Sequence, residues 1–296
     1  MTLTRDARRR RLAYSRYVWH FRLQRLDLET GQSHELPALS STRFDSEVSV
    51  SPDGRRLAFA STRSGSFEIW ISASDWGGAR RLTDFDGPYT GQPSWSPDDE
   101  SIAFTSTAAA DVWRIESRGG LPERLISAAS HEVAPWWSRD GRWLYYSSNR
   151  TGAWELWRQP AAGGEHKAEQ VTRGGGHRAA ESPDRRWIYF TRRGEPGLWR
   201  RPADGGPEQP ILPGLARNQS GNWALGPRGV YFVGKGPEHD SVLYLRPDGG
   251  GEPEQVAVLE DWPINPSLAL APDASWLIYS QAHGVESDIV LVDGPL

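Results

Sequence analysis

Ser51-Pro-Asp-Gly-Arg-Arg-Leu-Ala-Phe-Ala-Ser61 is written six times, with variation, along this chain. It returns as Ser96-Pro-Asp-Asp-Glu-Ser-Ile-Ala-Phe-Thr-Ser106, Ser138-Arg-Asp-Gly-Arg-Trp-Leu-Tyr-Tyr-Ser-Ser148 and Ser182-Pro-Asp-Arg-Arg-Trp-Ile-Tyr-Phe-Thr-Arg192. Weaker copies begin at Gly226 and Ala271, so successive starts lie 45, 42, 44, 44 and 45 residues apart. A fixed period in this range is the mark of a solenoid, a propeller or another array.

Each unit reads as four short strands. The first precedes the Ser-Pro-Asp-Gly turn, as in Val48-Ser-Val50 and Pro93-Ser-Trp95. Pro at the second turn position, Asp at the third and Gly at the fourth suit a type I turn. The second strand, such as Leu57-Ala-Phe59 or Ile188-Tyr-Phe190, is apolar at both parities and must be covered on both faces. The third carries an aliphatic–aromatic pair (Ile69-Trp70, Val112-Trp113, Leu156-Trp157, Leu198-Trp199), and the fourth is short, as in Arg81-Leu-Thr83. Most of the 15 Trp fall on strands one to three, where packing between units explains them better than ligand stacking. A four-stranded antiparallel unit with periodic aromatics is a propeller blade. The fold class is therefore all-β, a β-propeller forming a single domain over residues 1–296.

The run Ser-Pro-Asp-Gly, then Leu-Ala-Phe, then Ile-Trp, then Arg-Leu-Thr resembles the TolB propeller repeat over nearly the whole chain. It is also similar to propeller segments that follow other domains in bacterial regulators. Counting second strands adds a seventh copy at Leu12-Ala-Tyr-Ser15, after Thr4-Arg-Asp-Ala7, so seven blades are expected. The resemblance implies six, which stands as the alternative. The last unit, ending at Ile289-Val-Leu-Val292, lacks a fourth strand, and Met1–Thr4 is the candidate to supply its edge.

The formal net charge of −4 and a pI near 6.0 argue against a dedicated nucleic-acid binder. With no Cys, thiol catalysis and cysteine metal sites are excluded. There is no apolar run of membrane-spanning length and no apolar segment behind the basic N-terminus. A cytoplasmic location follows if the chain is complete, and a periplasmic one or attachment to a larger regulator if it is a piece. Gly229–Gly236 imitates a phosphate loop but lies on a repeat strand, and there is no Gly-x-Ser-x-Gly elbow.

Propellers gather the loops joining strand four to one, and two to three, on one face, here called the top. His20, His131, His177, His239 and His283 fall in such loops. Glu47, Gln92, His131, Glu132, His177, Arg178, Asn222 and Asn265 stand at or just before first strands and are expected to ring the mouth of the central channel. The resemblance implies a non-catalytic scaffold or sensor that engages a protein or peptide through this mouth, with Tyr17, Trp19, Tyr89 and Trp154 as exposed aromatic contacts. The alternative is a lyase-like enzyme or small-ligand binder using the His and carboxylates, with a metal at His131, His177 or His283. No cofactor, nucleic acid or membrane insertion is expected, and the chain is read as a monomer.

Overall fold

In the computed structural model, six antiparallel sheets, five of four strands and one of five, surround a channel of about 610 Å³. The structure describes residues 3–6, 11–107, 111–216, 221–259 and 268–293, with side chains described from 21 to 282 within those ranges, except at 165.

Blade 1 holds β4 (Asp45–Val50), β5 (Leu57–Ser61), β6 (Glu68–Ser72) and β7 (Ala79–Arg81). Blade 2 holds β8 (Thr90–Trp95), β9 (Ser101–Ser106), β10 (Asp111–Glu116) and β11 (Glu123–Arg124). Blade 3 runs from β12 (Glu132–Trp137) through β13 (Trp143–Ser148) and β14 (Glu155–Pro160) to β15 (Glu169–Gln170). Blade 4 comprises β16 (His177–Glu181), β17 (Trp187–Thr191), β18 (Leu198–Pro202) and β19 (Gln209–Leu212). Blade 5 comprises β20 (Trp223–Gly226), β21 (Gly229–Gly234), β22 (Val242–Pro247) and β23 (Glu254–Val258).

Blade 6 is made from both ends of the chain. Its inner strands are β24 (Leu268–Leu270) and β25 (Trp276–Asp293); its outer strands are β2 (Arg11–Asp27) and β3 (Ser33–Glu35). The expectation of seven blades is therefore corrected to six. Leu12–Ser15 is not the second strand of a further unit. It is the start of a 17-residue strand that runs without a turn into Phe21–Leu26, the third strand of blade 6. The other units interrupt this junction with turn residues such as Arg63-Ser-Gly65 and Asn149-Arg-Thr-Gly152, whereas Arg16-Tyr-Val-Trp-His20 is rich in strand formers. Ile289-Val290, at the end of the last repeat unit, is likewise the far end of β25, paired with Ser15 and Tyr14. The missing fourth strand is β3, while β1 (Leu3–Asp6) pairs with Tyr14–Arg11 above the blade.

The core confirms the ring. It divides into six apolar clusters, each between two consecutive blades. Ile69, Ile71, Ile102 and Phe104 join blades 1 and 2, whereas Leu26, Tyr231, Leu243 and Tyr279 join blades 5 and 6. Every residue of β5 and β9 is buried, as strands covered on both faces must be. The strand-three Trp side chains pack under arginines of the top loops: Arg63 lies 4.9 Å from the Trp70 ring, Arg150 4.7 Å from Trp157 and Arg192 3.8 Å from Trp199.

The repeated turn closes as its residues require. Gly54 N donates to Ser51 O at 2.8 Å, the Ser51 hydroxyl bonds Asp53 Oδ1 at 2.5 Å, and Arg56 N returns to Ser51 Oγ at 2.9 Å. The fourth position takes positive φ, supplied by Gly54 (φ 73°) and Gly141 (φ 71°) but also by Asp99, Arg185 and Ala274. These turns form the lower rim of the channel, where Pro52, Pro97, Pro183, Pro227 and Pro272 gather.

Candidate functional site

The upper mouth is built from a backbone irregularity that recurs in four consecutive blades. β4, β8, β12 and β16 each carry a register shift near their start. The extra residue is Glu47, Gln92, Ala134 and Arg178, with φ of 54°, 56°, 53° and 38°. A bulge of this kind re-aims one residue of an otherwise regular strand. All four line the channel.

Their side chains are tied to one another. Glu47 Oε2 accepts the Gln92 backbone N–H at 2.9 Å and the Tyr89 hydroxyl. Gln92 Oε1 accepts the Ala134 N–H and the Thr105 hydroxyl, each at 2.9 Å. Arg178 Nη2 donates to Glu47 Oε1 at 3.2 Å. Blades 1 and 4 face each other in a ring of six, so this ion pair crosses the mouth. A Cβ on Gly91 would collide with the Glu47 carboxylate and the Tyr89 hydroxyl, which explains glycine there. Burial and the neighbouring Glu47 carboxylate push the Tyr89 hydroxyl upward, keeping it a donor.

Of the residues expected at the mouth, Glu47, Gln92 and Arg178 meet there. His177 precedes Arg178 in β16, half-buried, with its ring 6.2 Å from that of Trp154. Glu132 does not face the channel. It is fully buried inside blade 3, where Oε1 accepts the Ser130 and Ser148 hydroxyls at 2.7 Å and Arg150 at 3.4 Å. Asp45 does the same work in blade 1 with Ser61 and Arg63. His131 is exposed, its N–H held by Asn149 Oδ1. Asn222 is 1% exposed at the start of blade 5, and Asn265 lies outside the described residues. Tyr89 is not a free surface aromatic but part of the mouth, and Trp154 is half-covered by Arg193 at 4.5 Å. The side chains of Tyr17, Trp19, His20 and His283 are outside the description. Among the described residues no group of three His, Asp or Glu could hold a metal ion.

Tyr89 was expected as an exposed contact and is instead bonded to Glu47 within the mouth, while Ala134 was not singled out. Also unforeseen is a contact between two charged residues at the lower rim. Arg139 stands where four of the other copies have proline before Asp, and Glu181 stands where other units have Val50, Trp95, Trp137, Leu225 or Leu270. These departures meet: Glu181 Oε2 accepts the Arg139 N–H at 2.8 Å, and Arg139 Nε donates to Glu181 O at 3.2 Å. Burial raises the Glu181 pKa. The signal lay in the repeat, at the positions where it is broken.

Burial, with Arg178 and Arg193 adding, pushes His177 from 6.5 down to about 3. The unfolded chain takes its proton near the ordinary value, so unfolding below that pH binds a proton. Stability is complete above pH 6.5 and falls as pH drops toward about 3, at up to about 1.4 kcal/mol per pH unit. Thermal unfolding between pH 7 and 4 should show a steeper decline for the native chain than for His177→Gln. Parallel curves would refute the effect.

No family model matches the chain. An uncharacterized protein of Agrobacterium fabrum is 29% identical over 121 residues, covering 40% of this chain and 41% of that protein. The Tol-Pal system protein TolB of Desulfosudis oleivorans is 38% identical over 58 residues, 19% of this chain and 13% of its own length. The chain thus spans less than half the length of these curated relatives. Among solved structures, TolB from Acinetobacter baumannii superposes with a TM-score of 0.59 at 16% identity, over 91% of this chain and 65% of that one. An oligogalacturonate lyase in complex with manganese gives 0.57 at 15% identity, over 93% and 76%. The fold is that of a TolB-like β-propeller.

Proposed function

We propose that this propeller is a non-catalytic binding module that captures a protein segment or peptide on its top face, at the rim of the channel. The observation that carries this reading is how the mouth spends its charged groups. Glu47 holds Gln92, Tyr89 and Arg178, and His177 is depressed out of the range useful for proton transfer near neutral pH. Such a set holds a shape rather than turning over a substrate.

Beside it runs a row of aromatic rings. Phe21 lies 4.2 Å from Phe44, Phe44 5.4 Å from Phe67, and Phe67 5.2 Å from Tyr89, ending at Glu47. Phe44 and Phe67 are half-buried in top loops, each offering part of a ring to solvent. Aromatic anchors on a rigid rim are the usual centre of a protein interface. The TolB-like fold supports a binding role of this general kind.

Panning a random linear peptide library on the immobilised protein tests the reading. Selected peptides should bind the native protein and lose at least about tenfold in affinity on Phe67→Ala, which is about 1.4 kcal/mol. Failure to enrich any peptide, or affinities untouched by Phe67→Ala, would overturn it.

A further inference from the structure

We propose that the upper channel contains a carboxylate-binding subsite at Arg178, opened by the alanine at position 134. The inference rests on the reading of the top mouth as a binding surface and names the chemistry one part of it takes.

The four bulges form an interrupted relay. A backbone N–H turned out of the strand ladder needs another acceptor. In blade 2 that N–H, of Gln92, is taken by the carboxylate of Glu47 from blade 1. In blade 3 the N–H of Ala134 is taken by the side-chain carbonyl of Gln92 from blade 2. The next link would join blade 3 to blade 4, but Ala134 ends at Cβ and has nothing to offer the N–H of Arg178. No side chain among the described residues accepts it.

The Arg178 side chain adds two more donors. Its Nη2 is engaged by Glu47, while Nε and Nη1 have no partner among the described residues, and the side chain is 20% exposed. Beside the hollow left at Ala134 lies Trp136, on the channel wall and packed on Tyr145 with ring centroids 4.3 Å apart. Arg178, Ala134 and Trp136 line the same channel, so a backbone N–H and a cationic side chain are offered to it beside an apolar wall. A guanidinium N–H and a backbone N–H both make strong hydrogen bonds to a carboxylate. The protein already fills the equivalent place in blade 1 with a carboxylate of its own. The Glu47 pair offsets part of the Arg178 charge, so the subsite adds selectivity for an acidic group, and binding weakens with salt.

The carboxylate can belong to a chain terminus or to a free small acid. The probes are tetra-alanine with a free C-terminus, the same peptide as its C-terminal amide, and propionate. The readout is the Arg178 Nε–H cross-peak in a nitrogen–proton NMR spectrum, assigned by its loss in Arg178→Gln. The free-acid peptide should shift this peak saturably and the amide should not. Ala134→Gln supplies the missing acceptor in the conformation that Gln92 itself adopts (φ 56°). It should weaken the response at least tenfold while leaving or raising Tm. A response to propionate equal to that of the peptide identifies free acids as the source, and a response to the peptide alone identifies a chain terminus. Equal responses to acid and amide, no response to any probe, or native-like binding by Ala134→Gln would overturn the proposal. Peptides selected from the library that respond to Phe67→Ala but not to Ala134→Gln would remove the subsite and leave the binding surface standing.

Discussion

A chain lacking residues 1–36 should not unfold cooperatively. Blade 6 loses both outer strands in that deletion, β2 and β3, and its remaining strands lose the partner along Trp276–Ala282. Two neighbouring interfaces fail with it. Leu23 belongs to the cluster with Leu57 and Phe59 of blade 1, and Leu26 to the cluster with Tyr231 and Leu243 of blade 5. Both leucines are fully buried, and truncating either to alanine alone should cost about 2–5 kcal/mol. That is a large share of the total stability of an ordinary domain, about 5–15 kcal/mol. Removing both, with their strands, leaves Leu277, Ile278 and Tyr279 facing water in an open ring. Calorimetry should show no sharp transition for the deletion, whereas a chain lacking only residues 1–10 should retain one. Adding a separate peptide of residues 11–40 should restore the transition in the longer deletion. A sharp native-like transition for that deletion would mean that closure does not depend on the N-terminal strands.

Replacing Glu47 with alanine should destabilise the ring by about 3–5 kcal/mol. Its side chain is 11% exposed and serves three donors from three parts of the mouth. Removing one partner of a buried charge pair leaves the other charge uncompensated, which is the costly case. Here the Gln92 N–H and the Tyr89 hydroxyl are orphaned as well. Tyr89→Phe removes only one donor and should cost about 1 kcal/mol. Urea unfolding gives the comparison: the Glu47→Ala midpoint should fall with no change in slope. A loss below that of Tyr89→Phe would show that the trans-channel pair contributes nothing net, as exposed pairs often do.

The repeat made much of this legible. Strand order, the turn at Ser51–Gly54 and the double burial of the Leu57 strand all follow from local chemistry that each copy states independently. The number of blades does not. A strand becomes part of one blade or begins another according to whether a turn interrupts it. At Arg16–His20 the chain runs straight through, so a run that matched the repeat lost its meaning as a unit. At the site, Glu47, Gln92 and Arg178 could be named because bulge residues stand just before each first strand. Glu132 lies two residues before the bulge at Ala134, on the regular part of the strand, and its side chain packs into the blade. A bulge re-aims one residue against the strand's period of two, which no sequence pattern announces. Ala134 could not be found by searching for reactive side chains, since its importance is what it lacks.

The manner of closure also sets how the molecule responds to a pull. β2 and β25 run antiparallel from Arg11 opposite Asp293 to Asp27 opposite Trp276, so the two ends of this ladder lie side by side. Tension applied between them loads the rungs one after another, starting at Arg11, rather than all together. The ribbon above blade 6 therefore peels like a zipper at low force. The next rungs to part are those at Phe21 and Leu23, which hold the ring shut. A propeller tethered by its two ends opens at that seam first, with blades 1 to 5 still folded.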